Sequence, residues 1–101
     1  MSSGKRLPPI HPGEILREEF LLPLGMSANE LALALRVPAT RINDMVNQKR
    51  GITADSALRL ARYFGTTSRF WMNIQASYEL EVAEDRLGDA LQREVLPRSA
   101  A

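Results

Sequence analysis

Apolar residues recur at helical spacing in five stretches of the chain, each bounded by a capping residue, a glycine or a proline. The first starts at about Gly13, with Ile15, Leu16, Phe20 and Leu21 on its buried side and Glu14, Glu18 and Glu19 outside. Pro23 and Gly25 are expected to end it, and Leu24 and Met26 to tuck beneath the next helix start as a hydrophobic staple. That start is Ser27, followed three residues later by Glu30 in an S-x-x-E capping box. Leu31, Ala32 and Leu35 continue it as one apolar stripe, and the small Ala32 lets another helix cross closely. Arg36-Val37-Pro38 interrupts the pattern, because Pro38 suits a first helical turn and disfavours helix at Val37. A third helix is predicted from about Pro38 to Asn47, burying Ile42, Met45 and Val46. A fourth, capped by Thr53, buries Ala57, Leu58, Leu60, Ala61 and Phe64 and stops at Gly65. The fifth is long, running from Thr66-Thr67-Ser68 to a stop at Pro97, with Gly88 as its candidate bend. Phe70, Trp71 and Ile74 are expected to pack on the fourth helix. Leu80, Leu87 and Leu91 exceed what so small a domain needs to cover and are read as a dimer or partner seam.

The second and third helices, Ser27 to Gln48, read as a helix-turn-helix. The outward face of its second helix carries Thr40, Arg41, Asn43, Asp44 and Asn47, and the basic loop Gln48-Lys49-Arg50-Gly51 follows at once. Any one of these polar residues is what a solvated helix carries. Together they fit a helix whose N-terminal side chains meet base edges in the major groove while nearby cations hold phosphates. Arg41 can donate two bonds to guanine, and Thr40 can offer a hydroxyl or a methyl group.

The 101 residues suit one domain, divided into a flexible arm at 1–12, the helix-turn-helix domain at 13–78 and a C-terminal helical extension and tail at 79–101. With no cysteine and His11 as the single histidine, disulfides and histidine- or thiolate-rich metal sites are excluded. No paired acids, triad or glycine-rich phosphate loop marks an enzyme, and no cofactor is implied. No apolar run reaches the ~20 residues of a membrane span, and prolines interrupt the N-terminal stretch before it could form a signal-peptide core. The net charge of +1 conceals a division. Residues 36–69 hold seven arginines and lysines against two aspartates, whereas residues 70–101 hold three arginines against six carboxylates. A phosphate-facing middle and an acidic tail that avoids DNA fit that division.

HPGEIL at 11–16, the helix-turn-helix, and GITADSALRLARYFGTTSRFWMNIQASYEL at 51–80 together resemble the HigA-type antitoxins, or VapI group, of the XRE-like class. The resemblance covers about residues 10–80. It implies an all-α, five-helix lambda-repressor-like domain with an extended C-terminal helix. It also implies a cytoplasmic dimer that binds double-stranded operator DNA, represses its own operon and neutralises a small basic RNase toxin acting on mRNA. Carried over by position, the base-reading sites fall on Ala39, Thr40, Arg41 and Asp44, and the phosphate sites on Ser27, Asn43, Asn47, Lys49 and Arg50. Two positions depart from the pattern: Arg36 stands where glycine is usual, and Pro38 where serine or threonine caps the helix. Two other readings of the same residues are a repressor without a toxin and a protein-interaction module that does not bind DNA.

Overall fold

The computed structural model describes residues 7–99, so residues 1–6 of the expected arm and 100–101 of the tail lie outside the described residues. Those described form six helices and no strand. The first, α1, runs through Pro12–Ile15, a widened π turn at Leu16–Leu21, and Leu22–Leu24. It is followed by α2 (Ala28–Leu35), α3 (Ala39–Val46), α4 (Ala54–Phe64), α5 (Ser68–Leu87) and α6 (Ala90–Glu94).

The chain joins the fold earlier than the expected arm boundary allows. His11 and Pro12 are buried, and His11 Nδ1 accepts the Gly13 N–H at 2.9 Å as the N-cap of α1. The His11 ring meets Tyr78 of α5 edge-on, with centroids 4.8 Å apart. Pro23 does not end α1 but lies in its last turn, and the wider π turn precedes it, with the Leu22 N–H bonded to the Arg17 carbonyl. A proline ring collides with the carbonyl four residues back in a regular helix, and a widened turn relieves that collision. Gly25, at φ 63°, makes the stop. It also sends Leu24 to the surface, 62% exposed, so Met26 alone turns inward against the core and the expected staple lacks its first member.

Burial pushes the His11 imidazole below its ordinary pKa. Its unprotonated Nδ1 is also the acceptor that caps α1. The folded state therefore favours neutral His11, and the unfolded chain takes up the proton first as pH falls past about 6.5. The stabilisation is complete above that pH and is lost as pH falls through the folded pKa. Thermal melts are expected to show a lower Tm at pH 5.5 than at 7.5, and His11→Gln is expected to reduce that difference.

Four helix ends share one closing pattern, an amide bonded to the carbonyl five residues back across a left-handed residue: Met26 to Leu21, Val37 to Ala32, Lys49 to Asp44 and Thr66 to Ala61. The left-handed residues are Gly25, Arg36, Gln48 and Gly65. Arg36 therefore keeps the turn that glycine would make, at a strain of roughly 1 kcal/mol. The two non-glycine cases bracket α3.

The core is Leu16, Leu21, Leu31, Ala32, Leu35, Ile42, Met45, Ile52, Ala57, Leu60 and Trp71, drawn from α1 to α5. Leu58, expected inside, is 62% exposed, because Ala57 and Leu60 take the inner face of α4. Thr53 and Thr67 cap α4 and α5 through bonds from the Ser56 and Phe70 amides. Beyond Tyr78, α5 leaves the core. It ends at Leu87, and Gly88, at φ 53° and ψ −132°, starts a separate α6 that stops at Glu94 rather than at Pro97. This outlying arm explains a radius of gyration of 17.2 Å, against about 13 Å for a compact 100-residue domain.

Candidate nucleic-acid interface

Ser27 Oγ accepts the Glu30 amide at 3.0 Å, and Glu30 Oε1 accepts the Ser27 amide at 2.8 Å, so the capping box starts α2 as its sequence predicts. The third helix is shorter than expected by one residue at each end. Pro38 is its N-cap and offers no side-chain acceptor, although its carbonyl accepts the Arg41 amide at 3.0 Å. Inside, Ile42 and Met45 are fully buried.

Two contacts that sequence reasoning missed fix α3 and the loop after it. Gly13 lies so close to the end of α3 that a Cβ there would sit 1.7 Å from the Met45 carbonyl oxygen. The positive end of α1 thereby faces the negative end of α3. Gln75, buried on α5, accepts the Ile52 amide through Oε1 at 2.7 Å and donates through Nε2 to Glu79 at 2.6 Å. Its amide group also fills the space beside Gly51. A signal for Gln75 existed in the spacing Trp71, Gln75, Tyr78, which puts a polar amide on the buried stripe of α5.

On the outer face, Ala39 and Thr40 are exposed in the first turn of α3. Arg41 is held at its side: Nη1 donates to Asp55 Oδ2 at 2.6 Å. The same oxygen accepts Arg59 Nε at 3.0 Å, and Arg59 Nη1 donates to the Leu35 carbonyl at 2.8 Å. Hydrogen bonds from Arg41 and then Arg59 hold the Asp55 carboxyl below its usual pKa. Neither Asp55 nor Arg59 was singled out from the sequence, because the partners lie 14 and 24 residues apart. Asn43 Nδ2 donates to Asn29 Oδ1 and to the Ala39 carbonyl, both at 2.9 Å, tying α3 to α2. Both of its amide hydrogens are thus engaged by acceptors of the helix-turn-helix itself. Asp44 and Arg50 approach at 3.7 Å, and Asn47, itself exposed, is the C-cap of α3. Lys49 and Arg50 are exposed on the loop that Gln48, at φ 62°, turns back toward α3.

Leu80, Leu87 and Leu91 are 64%, 40% and 49% exposed on the outlying arm. No helix among the described residues is long and apolar enough to cross a membrane, and none of their acidic and histidine side chains group as a metal site.

Helices α2 and α3, packed at their buried faces and joined by the three-residue turn Arg36-Val37-Pro38, define a helix-turn-helix protein. The family described as Helix-turn-helix matches residues 16–71. The chain is 59% identical over 83 residues to virulence-associated protein I of Dichelobacter nodosus, covering 81% of this chain and 77% of that protein. The fold matches Pseudomonas aeruginosa antitoxin HigA, solved with the higBA promoter, at a TM-score of 0.87 and 49% identity, over 90% of this chain and 99% of that one. It matches antitoxin GraA in complex with its operator at 0.87 and 43% identity, over 99% of both chains. The chain belongs to the helix-turn-helix family, in the HigA and VapI group. The members it matches are named as transcriptional regulators, virulence-associated proteins and antitoxins rather than enzymes.

Proposed function

We propose that this protein is an antitoxin that binds operator DNA as a dimer, represses its own operon and neutralises a small basic mRNA-endonuclease toxin. The observation that carries the DNA part is the exposed first turn of α3 beside an exposed Lys49-Arg50 loop, in a chain that matches antitoxins solved on their DNA over nearly its whole length. Ala39, Thr40, Arg41 and Asp44 read bases in this proposal. Ser27, Asn43, Asn47, Lys49 and Arg50 hold phosphates, with Asn43 giving up one of its two internal bonds to do so. Leu80, Leu87 and Leu91 form the seam, because paired half-sites about 34–36 Å apart give a small helix-turn-helix the contact area that one copy lacks.

Mobility-shift titration on the DNA upstream of the gene tests this. Arg41→Ala is expected to cost about 1–3 kcal/mol on that DNA and to relax sequence preference. Lys49→Ala is expected to weaken all sequences alike and to flatten the salt dependence. Leu87→Glu with Leu91→Glu is expected to give a monomer in sedimentation and a weaker shift. Unchanged binding by all three would remove the DNA-reading assignment.

The toxin part rests on family membership and on charge. Six carboxylates lie between Glu79 and Glu94, away from α3, so a basic partner is attracted there within a Debye length of about 8 Å at physiological salt. Coexpression with the small protein of the neighbouring gene is expected to rescue growth and give copurification. Rescue that survives truncation after Tyr78 would take the acidic arm out of the mechanism. No rescue by the full chain would leave a repressor without that toxin.

A further inference from the structure

We propose that Asp55, at the start of α4, is a positioning residue that makes Arg41 a base reader instead of a phosphate-seeking cation. The inference rests on Arg41 contacting bases. Asp55 Oδ2 lies 2.6 Å from Arg41 Nη1 and 3.0 Å from Arg59 Nε, so the carboxylate is gripped from α3 and from its own helix. Arg59 is tied in turn to the Leu35 carbonyl at the end of α2. Both halves of the helix-turn-helix therefore fix where the carboxylate stands, and the carboxylate fixes Arg41.

Two consequences follow for DNA. The bond to Asp55 uses Nη1, which leaves the Nε–Nη2 edge with two parallel donors, the fork that fits guanine O6 and N7. A guanidinium already held in place loses less rotamer freedom when it docks. The carboxylate also offsets the charge of Arg41, which weakens the pull of phosphates on that side chain at every sequence alike. Geometry favours the right site and charge disfavours the wrong ones. Stability alone is a weak reason for the cluster, since the Asp55 side chain is 55% exposed, where ion pairs contribute little.

The test uses the full chain with two duplexes of equal length, the DNA upstream of its own gene and a scrambled sequence, titrated by fluorescence anisotropy at several salt concentrations. Asp55→Asn is expected to lower the ratio of specific to scrambled affinity about tenfold, within the range for one bidentate arginine contact. It is also expected to steepen the slope of log K against log salt on the scrambled duplex by about 0.9, as Arg41 finds a phosphate. Asp55→Glu keeps the charge and is expected to keep the slope. A brace that only stabilises the fold would not move that slope. If Asp55→Asn leaves ratio and slope unchanged while Arg41→Ala lowers the ratio, the positioning role is wrong and the base-reading role stands. If Arg41→Ala leaves the ratio unchanged as well, the base-reading role fails and this proposal falls with it.

Discussion

Gly13→Ala is expected to destabilise the protein by about 3 kcal/mol or more and to lower its Tm by more than about 10 °C. The added Cβ would meet the Met45 carbonyl oxygen at 1.7 Å and its carbon at 2.7 Å, and both are backbone atoms. A flexible side chain could move aside, but a helix backbone can give way only if α1 and α3 separate. Separation would uncover Met45 and Ile42, both fully buried beneath the outer face of α3. The loss is therefore expected in DNA binding as well as in the melt followed by circular dichroism. Gly25→Ala is the control. A Cβ there meets nothing within 4 Å, so its cost comes from the left-handed φ of 63° alone, roughly 1 kcal/mol. If the two variants melt together, the close approach of α1 to α3 does not hold the recognition helix.

That contact shows where sequence reasoning reaches its limit. The helices, the capping box and most of the buried stripe are local consequences of spacing, and α2 to α5 start and stop within a residue or two of expectation, save for the C-terminal end of α5. Leu58 and Leu24 lie outside where the apolar pattern predicts burial, because an apolar residue at a helix edge or end carries no mark of which side it takes. Leu24 is settled by the turn at Gly25, and Leu58 by the smaller Ala57 and the deeper Leu60 that fill the inner face.

The candidate site is legible in the sequence as a set of outward residues but not as a set of bonds. Arg41, Asn43 and Asp44 were placed on the face of α3 by helical period. Their partners Asp55, Asn29 and Arg50 depend on how α2, α4 and the loop fold back around that helix. His11 is legible in the sequence as the single histidine and as the first residue of HPGEIL, but not as a cap or a ring contact. Its cap to Gly13 and its contact with Tyr78 join the first described turn of helix to α5, across 67 residues that no local pattern spans.

Trp71→Ala is expected to cost about 3–5 kcal/mol, the usual range for emptying the site of a buried tryptophan. Trp71 is fully buried, with ring centroids 4.9 Å from Phe20 of α1, 6.4 Å from Phe64 of α4 and 5.0 Å from Phe70. Its Nε1–H donates to Thr66 Oγ1 at 2.8 Å, so even the polar atom is satisfied. Domains of this size are stable by about 5–15 kcal/mol, and such a loss leaves little or none of the smaller figure. Trp71→Phe separates the causes. It keeps most of the packing and forfeits the bond to Thr66, for a cost of roughly 1–2 kcal/mol. Because Trp71 is the only tryptophan, melts of the variants are followed by circular dichroism, while its fluorescence reports the parent. The effect is expected to reach the DNA face. Gln75 lies one turn further along α5 and holds the Ile52 amide, so an α5 that shifts into the emptied space releases the loop carrying Lys49 and Arg50. Operator affinity in Trp71→Ala is then expected to fall even where the protein remains folded. A variant that melts within a few degrees of the parent, or that stays folded and binds operator as tightly, would mean that α5 is not what fixes that loop.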